Sequence, residues 1–144
     1  MIMLKFFQNK WALVLLFSLS FLGDTSAQTT AEVWKHHIDA WQTKSLDAIV
    51  SDYTENSVVV LNNQSFKGIN AIRKVFSQLF TIFENGKNII DTPVLFDRFV
   101  YITWHLSLKG EDEQFGTDTF VIENGKIMVQ TIGSPLYYTH PVTH

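Results

Sequence analysis

Beyond the first thirty residues, apolar positions recur at helical spacing. Val33, Trp34, His37, Ile38 and Trp41 fall close to an i, i+3, i+4, i+7 pattern, which predicts a helix over Ala31–Thr43. The polar run Gln42–Ser45 ends it. Ser45 is a good N-cap for a second, short helix, with Asp47 in its first turn at the positive end of the dipole. Leu46, Ile49, Val50 and Tyr53 give that helix its apolar face. Ser57–Leu61 is β-branched and reads as a strand, Asn62-Asn63 as a turn, and Ser65–Lys67 as a brief return strand. Gly68 opens the longest helix, Ile69–Glu84, with a wide stripe of Ile69, Ile72, Phe76, Leu79, Phe80 and Phe83. Asn85-Gly86 predicts a left-handed cap at its end.

The period then changes from helical to two. Asn88–Asp97 is one strand, and its Pro93 implies an edge position or a bulge. Phe99–Leu108 is another: Val100, Ile102, Trp104, Leu106 and Leu108 make one face apolar, while Tyr101, Thr103, His105 and Ser107 make the other mixed. Gly110–Glu113 is an exposed acidic turn. Phe115–Ile132 is a hairpin about Asn124-Gly125, the pair that a type I′ turn with two positive φ angles demands. The tail Ser134–His144, with two prolines, wraps over the domain or frays. Helices first and strands afterwards predict an α+β fold: a curved antiparallel sheet packed on three N-terminal helices, a cone with an internal pocket.

The N-terminus lies outside that pattern. Lys5 and Lys10 precede the apolar run Trp11–Leu22, and Thr25-Ser26-Ala27 supplies small residues before Gln28. This is the layout of a cleavable signal peptide, residues 1–27, cut between Ala27 and Gln28. The apolar run is short for a membrane span, which needs about 20 residues. The expectation is a secreted or periplasmic protein with no membrane association after cleavage. Residues 28–144 then form a single domain with 9 Lys+Arg against 13 Asp+Glu. That mildly acidic balance offers no basic stripe to nucleic acid. The chain has no cysteine, which removes disulfides, thiol chemistry and a lipidated N-terminal Cys. Aromatic residues make up 14% of the chain, enough for an aromatic-lined cavity suited to a small apolar or aromatic molecule.

One acid stands out. Asp118 lies in mid-strand, flanked by threonines and an aromatic, where carboxylates are uncommon. Turned inward, it would be desolvated, its pKa raised, and it would serve as a general acid or neutral donor. Its structural alternative is a carboxylate that accepts backbone N–H bonds or pairs with a helix. His37 faces the core beside Trp34 and Trp41, either as a satisfied core residue or as a base. His36 points about 100° away around the helix, so the two histidines are not expected to chelate one metal. His140 and His144 fall in the tail and are expected to be solvated. Trp41, Tyr53 and Trp104 could line a cavity and stack on a flat ligand, or be ordinary core. No His/Asp/Glu cluster has metal-site spacing, and no phosphate loop, serine-nucleophile motif or cofactor fingerprint occurs, so neither metal nor cofactor is expected.

Three pieces of the chain carry a family resemblance. They are Trp41 with Ser45–Thr54, Phe66–Arg73, and Gly116–Phe120 with Gly125-Lys126-Ile127 and Gln130-Thr131. From about Ala31 to Gly133 the chain resembles the nuclear transport factor 2-like superfamily, in its SnoaL-like and ketosteroid-isomerase-like branch. That fold hosts isomerases, cyclases, dehydratases, hydrolases and non-catalytic binders. The isomerase uses an Asp base, with a Tyr and a protonated carboxylic acid as oxyanion donors. The resemblance places the protonated acid at Asp118, the Tyr at His37 and the base at Leu61, which cannot move a proton. Gln130 is implied to line the pocket, its alternative being a buried amide that ties strand to helix. On the Phe99–Leu108 strand the comparison favours an inward His105, whereas the periodicity favours Trp104. Two readings follow. One is acid–base chemistry at Asp118, oriented by Gln130 and His37. The other is a non-catalytic binding or scaffold domain that forms a homodimer, common in this superfamily, through the Tyr101, Thr103, His105 face.

Overall fold

The computed structural model describes residues 28–144. The expected signal peptide, residues 1–27, lies outside the described residues. Helix α1 (Thr30–Gln42) starts with a capping box: the Thr29 side chain accepts the Glu32 N–H, and the Glu32 carboxylate accepts the Thr29 N–H at 2.8 Å. Ser45 caps α2 (Leu46–Ser51) as its sequence position predicts. A short hairpin, β1 (Val58–Leu61) and β2 (Gln64–Lys67), leads into α3 (Ile69–Phe83). The sheet continues with β3 (Lys87–Ile90), β4 (Val94–Phe96), β5 (Phe99–Ser107), β6 (Gln114–Glu123) and β7 (Lys126–Gly133). A last turn of helix, α4 (Leu136–Thr139), follows.

The strands run β2-β1-β7-β6-β5-β3, with β4 also on β5. Pairing is antiparallel throughout except where β1 lies parallel to β7, so the expected all-antiparallel sheet is a mixed one. The helical stripes bury Val33, Trp34 and His37 of α1, and Ile72, Val75, Phe76, Leu79 and Phe83 of α3, with the inward faces of β5, β6 and β7. Among the described residues no helix is long and apolar enough to cross a membrane.

Four local outcomes matter for the site. On β5 the period of two wins: Val100, Ile102, Trp104 and Leu106 point inward, and His105 lies on the outer side. Along β6 the same period turns Asp118, Phe120 and Ile122 inward. The Asn124-Gly125 turn has both positive φ angles, 52° and 73°, as a type I′ turn requires. In β7 a bulge breaks the alternation: Val121 pairs with Val129 but Ile122 pairs with Ile127, leaving Met128 as the extra residue. The parity flips there, so that Ile127, Gln130 and Ile132 all face the core.

Other expectations are corrected. Neither Asn85 nor Gly86 has a positive φ, so α3 does not end in a left-handed cap. Gly86 packs closely instead: a Cβ there would lie 2.5 Å from Leu106 Cδ1, so the leucine ends would have to shift. The strand expected over Asn88–Asp97 breaks before Pro93 into β3 and β4, since proline cannot donate to the ladder. The tail wraps rather than frays. Leu136 and Val142 are fully buried, and Gln78 exchanges hydrogen bonds with the Thr143 backbone. His144 is exposed, as expected, with its ring centroid 4.4 Å from that of Phe66.

Candidate functional site

Asp118 sits in the middle of the sheet, with β5 on one side and β7 on the other. Each neighbouring strand supplies one donor. Trp104 Nε1–H donates to Asp118 Oδ1 at 2.9 Å, and Gln130 Nε2–H donates to Oδ2 at 2.7 Å. Gln130 reaches it only because the Met128 bulge turns it inward. Behind Gln130, the Tyr53 hydroxyl donates to Gln130 Oε1. A chain of donors therefore runs from Tyr53 through Gln130 to Asp118, and Trp104 closes it from the other side. Burial pushes the Asp118 carboxyl up to about 6, while the Trp104 and Gln130 hydrogen bonds hold it back from rising further. The Tyr53 hydroxyl is pushed well up by burial, and then by the nearby charges of Asp52 and Asp118. The Tyr137 hydroxyl rises by burial and by Asp118.

His37 is buried on α1, ringed edge-on by Tyr53, Phe76 and Phe120. Its Nδ1 is 3.0 Å from Asp52 Oδ2. Asp52, the buried C-cap of α2, also holds His36, whose Nδ1 is 2.6 Å from Oδ1. The two histidines point to different sides of α1, yet one carboxylate spans the angle between them. In the neutral tautomer that donates Nδ1–H to Asp52, the lone pair of His37 lies on Nε2. Asp52 is the member that sequence reasoning missed. It reads as the end of a short helix, and its separation of fifteen and sixteen residues from the histidines matches no helical or strand period.

Asp118, Gln130, His37, Trp41 and Trp104 line one cavity of about 40 Å³, together with apolar residues of α1, α3 and the sheet. At about 10–15 Å³ per water that is room for a few waters or a few heavy atoms. Trp41, Phe83, Asn88 and Ile90 border both this cavity and a wider outer cleft of about 310 Å³. At that neck Asn88 Oδ1 is buried with no hydrogen-bond partner. Tyr53, expected in the lining, stands behind Gln130 and supports it. Leu61 is buried in the core beside Ile132 and has no proton to move. Among the described residues no group of His, Cys, Asp or Glu is placed to hold a metal ion.

A sequence model of the SnoaL-like domain matches residues 34–130, from Trp34 on α1 to Gln130 on β7. The chain belongs to the SnoaL-like domain family. No curated protein matches its sequence. Among solved structures, this SnoaL-like domain is similar to a candidate SnoaL-like polyketide cyclase from Jannaschia sp. CCS1. The TM-score is 0.65 at 13% identity, covering 82% of this chain and 93% of that one. It is also similar to a candidate isomerase of the SnoaL-like family from Agrobacterium tumefaciens str. C58, with TM-score 0.57, 18% identity, and 72% and 94% of the two chains. A third is a ketosteroid isomerase-like fold protein from Catenulispora acidiphila DSM 44928, in complex with trimethylamine. Its TM-score is 0.58 at 15% identity, over 73% and 86% of the chains. At these identities the likeness establishes the SnoaL-like cone fold.

Proposed function

We propose that this SnoaL-like domain binds a small molecule in the Asp118 cavity and exchanges a proton with it, using its own side chains. One observation carries the reading: a buried carboxyl, held by two neutral donors and facing a cavity, has its pKa raised to about 6. Near neutrality such a group is present in both forms, which suits general acid and general base work alike. Gln130 orients it. His37, held at Nδ1 by Asp52, is the second proton-handling group on the cavity wall. The reaction class is isomerisation, cyclisation, dehydration or hydrolysis on a small, largely apolar or aromatic ligand. The trimethylamine of the Catenulispora relative is a ligand of a size this cavity admits.

A second reading, a non-catalytic binding or dimeric scaffold domain, is favoured by the small volume of the cavity and by Leu61 at the position of the isomerase base. The two are separated by a thermal-shift screen of small cyclic and aromatic metabolites on wild type and Asp118→Asn. Any ligand found is then followed by NMR in D2O for exchange of its C–H protons. Stabilisation with exchange that is lost in Asp118→Asn supports the acid–base reading. Stabilisation without exchange supports the binder.

Two further proposals concern the whole protein. The N-terminal pattern supports export, which N-terminal sequencing of the secreted protein tests, with Gln28 expected first. The exposed sheet face carries Phe96, Val94, Phe115 and Tyr101, an apolar surface that supports a homodimer.

A further inference from the structure

Resting on the reading of the cavity as a ligand site, we propose that its ligand is a protonated amine. The ammonium head sits on Asp118, and an apolar tail passes Trp41 and Phe83 into the outer cleft.

The charge inventory of the cavity is one-sided. Asp118 is the one carboxyl among the residues that line it, and no Lys or Arg lines it. The two groups that bond Asp118 are an indole N–H and an amide N–H, both neutral. The other titratable groups on the wall cannot balance it. His37 already shares the Asp52 carboxylate at Nδ1, so a positive charge on its ring would be matched there, and Tyr137 is an acid. Tyr53, one step behind Gln130, is an acid as well. An ionised Asp118 is therefore a buried anion with hydrogen bonds and no counter-ion. A cationic ligand would supply that counter-ion, whereas a neutral apolar one would leave the charge desolvated.

The walls have the same preference. Trp34, Trp41, Phe76, Phe83, Trp104 and Phe120 surround the cavity with aromatic rings, whose faces carry the negative part of the quadrupole. Rings around a carboxylate form the kind of cage that binds alkylammonium groups. The size restricts the head: about 40 Å³ accepts a few heavy atoms and no ring system. The remainder of the ligand must leave on the side where Trp41, Phe83, Asn88 and Ile90 border both spaces, passing beside the Trp41–Phe83 pair, whose rings are in edge-on contact with centroids 5.1 Å apart. There Asn88 Oδ1 is an acceptor without a donor, and beyond it the cleft of about 310 Å³ has room for a ring or chain. A phenol or alcohol could donate to Asp118 but would bring no charge, and a carboxylate would be repelled.

Calorimetric titration at pH 7.5 with 2-phenylethylamine, 2-phenylethanol and phenylacetate tests this. The amine is expected to bind at least about tenfold more tightly than the alcohol, a difference of the size one charge-assisted contact provides. Phenylacetate is expected not to bind. With the Asp118 pKa at about 6, amine affinity should fall about tenfold at pH 5, where the carboxyl is mostly protonated, while alcohol binding should not weaken. Asp118→Asn should abolish the preference, and the wild-type pH series gives the same answer if that variant fails to fold. Equal or tighter binding of the alcohol would overturn the amine assignment and leave the ligand site intact. Binding of none of the three would overturn both and leave the scaffold reading.

Discussion

Gly116 lies directly opposite Trp104 across the β5–β6 ladder, and a Cβ on Gly116 would come within 2.0 Å of the indole ring. The missing side chain is what allows the indole to lie along β6 and reach Asp118, two residues further on. Gly116→Ala should therefore force Trp104 out of position. The expected cost is about 1–3 kcal/mol in urea unfolding, typical of overpacking, together with a change in Trp fluorescence. Ala at Gly110, where a Cβ meets no neighbour but φ is positive, is a control that should leave the fluorescence unchanged.

Asp118 also makes stability depend on pH. Burial raises its pKa in the folded protein to about 6 from the ordinary 3.8, so the folded state holds its proton more tightly. The contribution is fully present below pH of about 4 and is lost as pH rises through about 6. The loss is of order 3 kcal/mol at 1.36 kcal/mol per unit. Asp118→Asn does not titrate. The stability of wild type relative to that variant should therefore be greatest at acid pH and smallest at pH 7.5, measured by urea unfolding across the range. A flat difference would show that the carboxyl is not raised.

The Tyr53 hydroxyl is the anchor of the Gln130 amide. Tyr53→Phe removes the donor and leaves Gln130 Oε1 buried without one, at a cost of about 1–3 kcal/mol. The amide should then be free to rotate, weakening its grip on Asp118. Chemical denaturation checks the stability, and a loss of ligand selectivity without loss of fold checks the positioning role.

The outer sheet face supplies a prediction about assembly. Phe96 is 76% exposed and Tyr101 is 42% exposed on adjoining strands. If this face joins two copies, Phe96→Asp should convert a dimer to a monomer in sedimentation velocity with no change in the far-UV spectrum. A wild-type monomer at high concentration would remove the proposal.

Much of the fold is legible in the sequence because its periods are clean. The stripe on α3, the alternation on β5 and the Asn124-Gly125 turn each have one physical reading, and each was realised. Asp118 was legible for the same reason: an acid on the inward parity of a β-branched strand needs partners. What was illegible depends on tertiary detail. The Met128 bulge that brings Gln130 inward changes the parity of β7 without any proline or glycine to mark it. Asp52 meets His36 and His37 only because α2 packs against α1. Tyr53 reads as a pocket aromatic, but its hydroxyl turns to Gln130. Gly86 reads as a helix cap, and only the fold shows that it lies against the side-chain ends of Leu106 and Leu108 instead.

The proposed chemistry needs Asp118 to exchange a proton at neutral pH. Carboxyl 13C NMR of the protein labelled at aspartate, titrated from pH 3 to 8 with Asp118→Asn to assign the signal, measures it directly. The structure predicts a midpoint of about 6 for Asp118. A midpoint at or below 4 would make Asp118 a structural carboxylate and contradict the account.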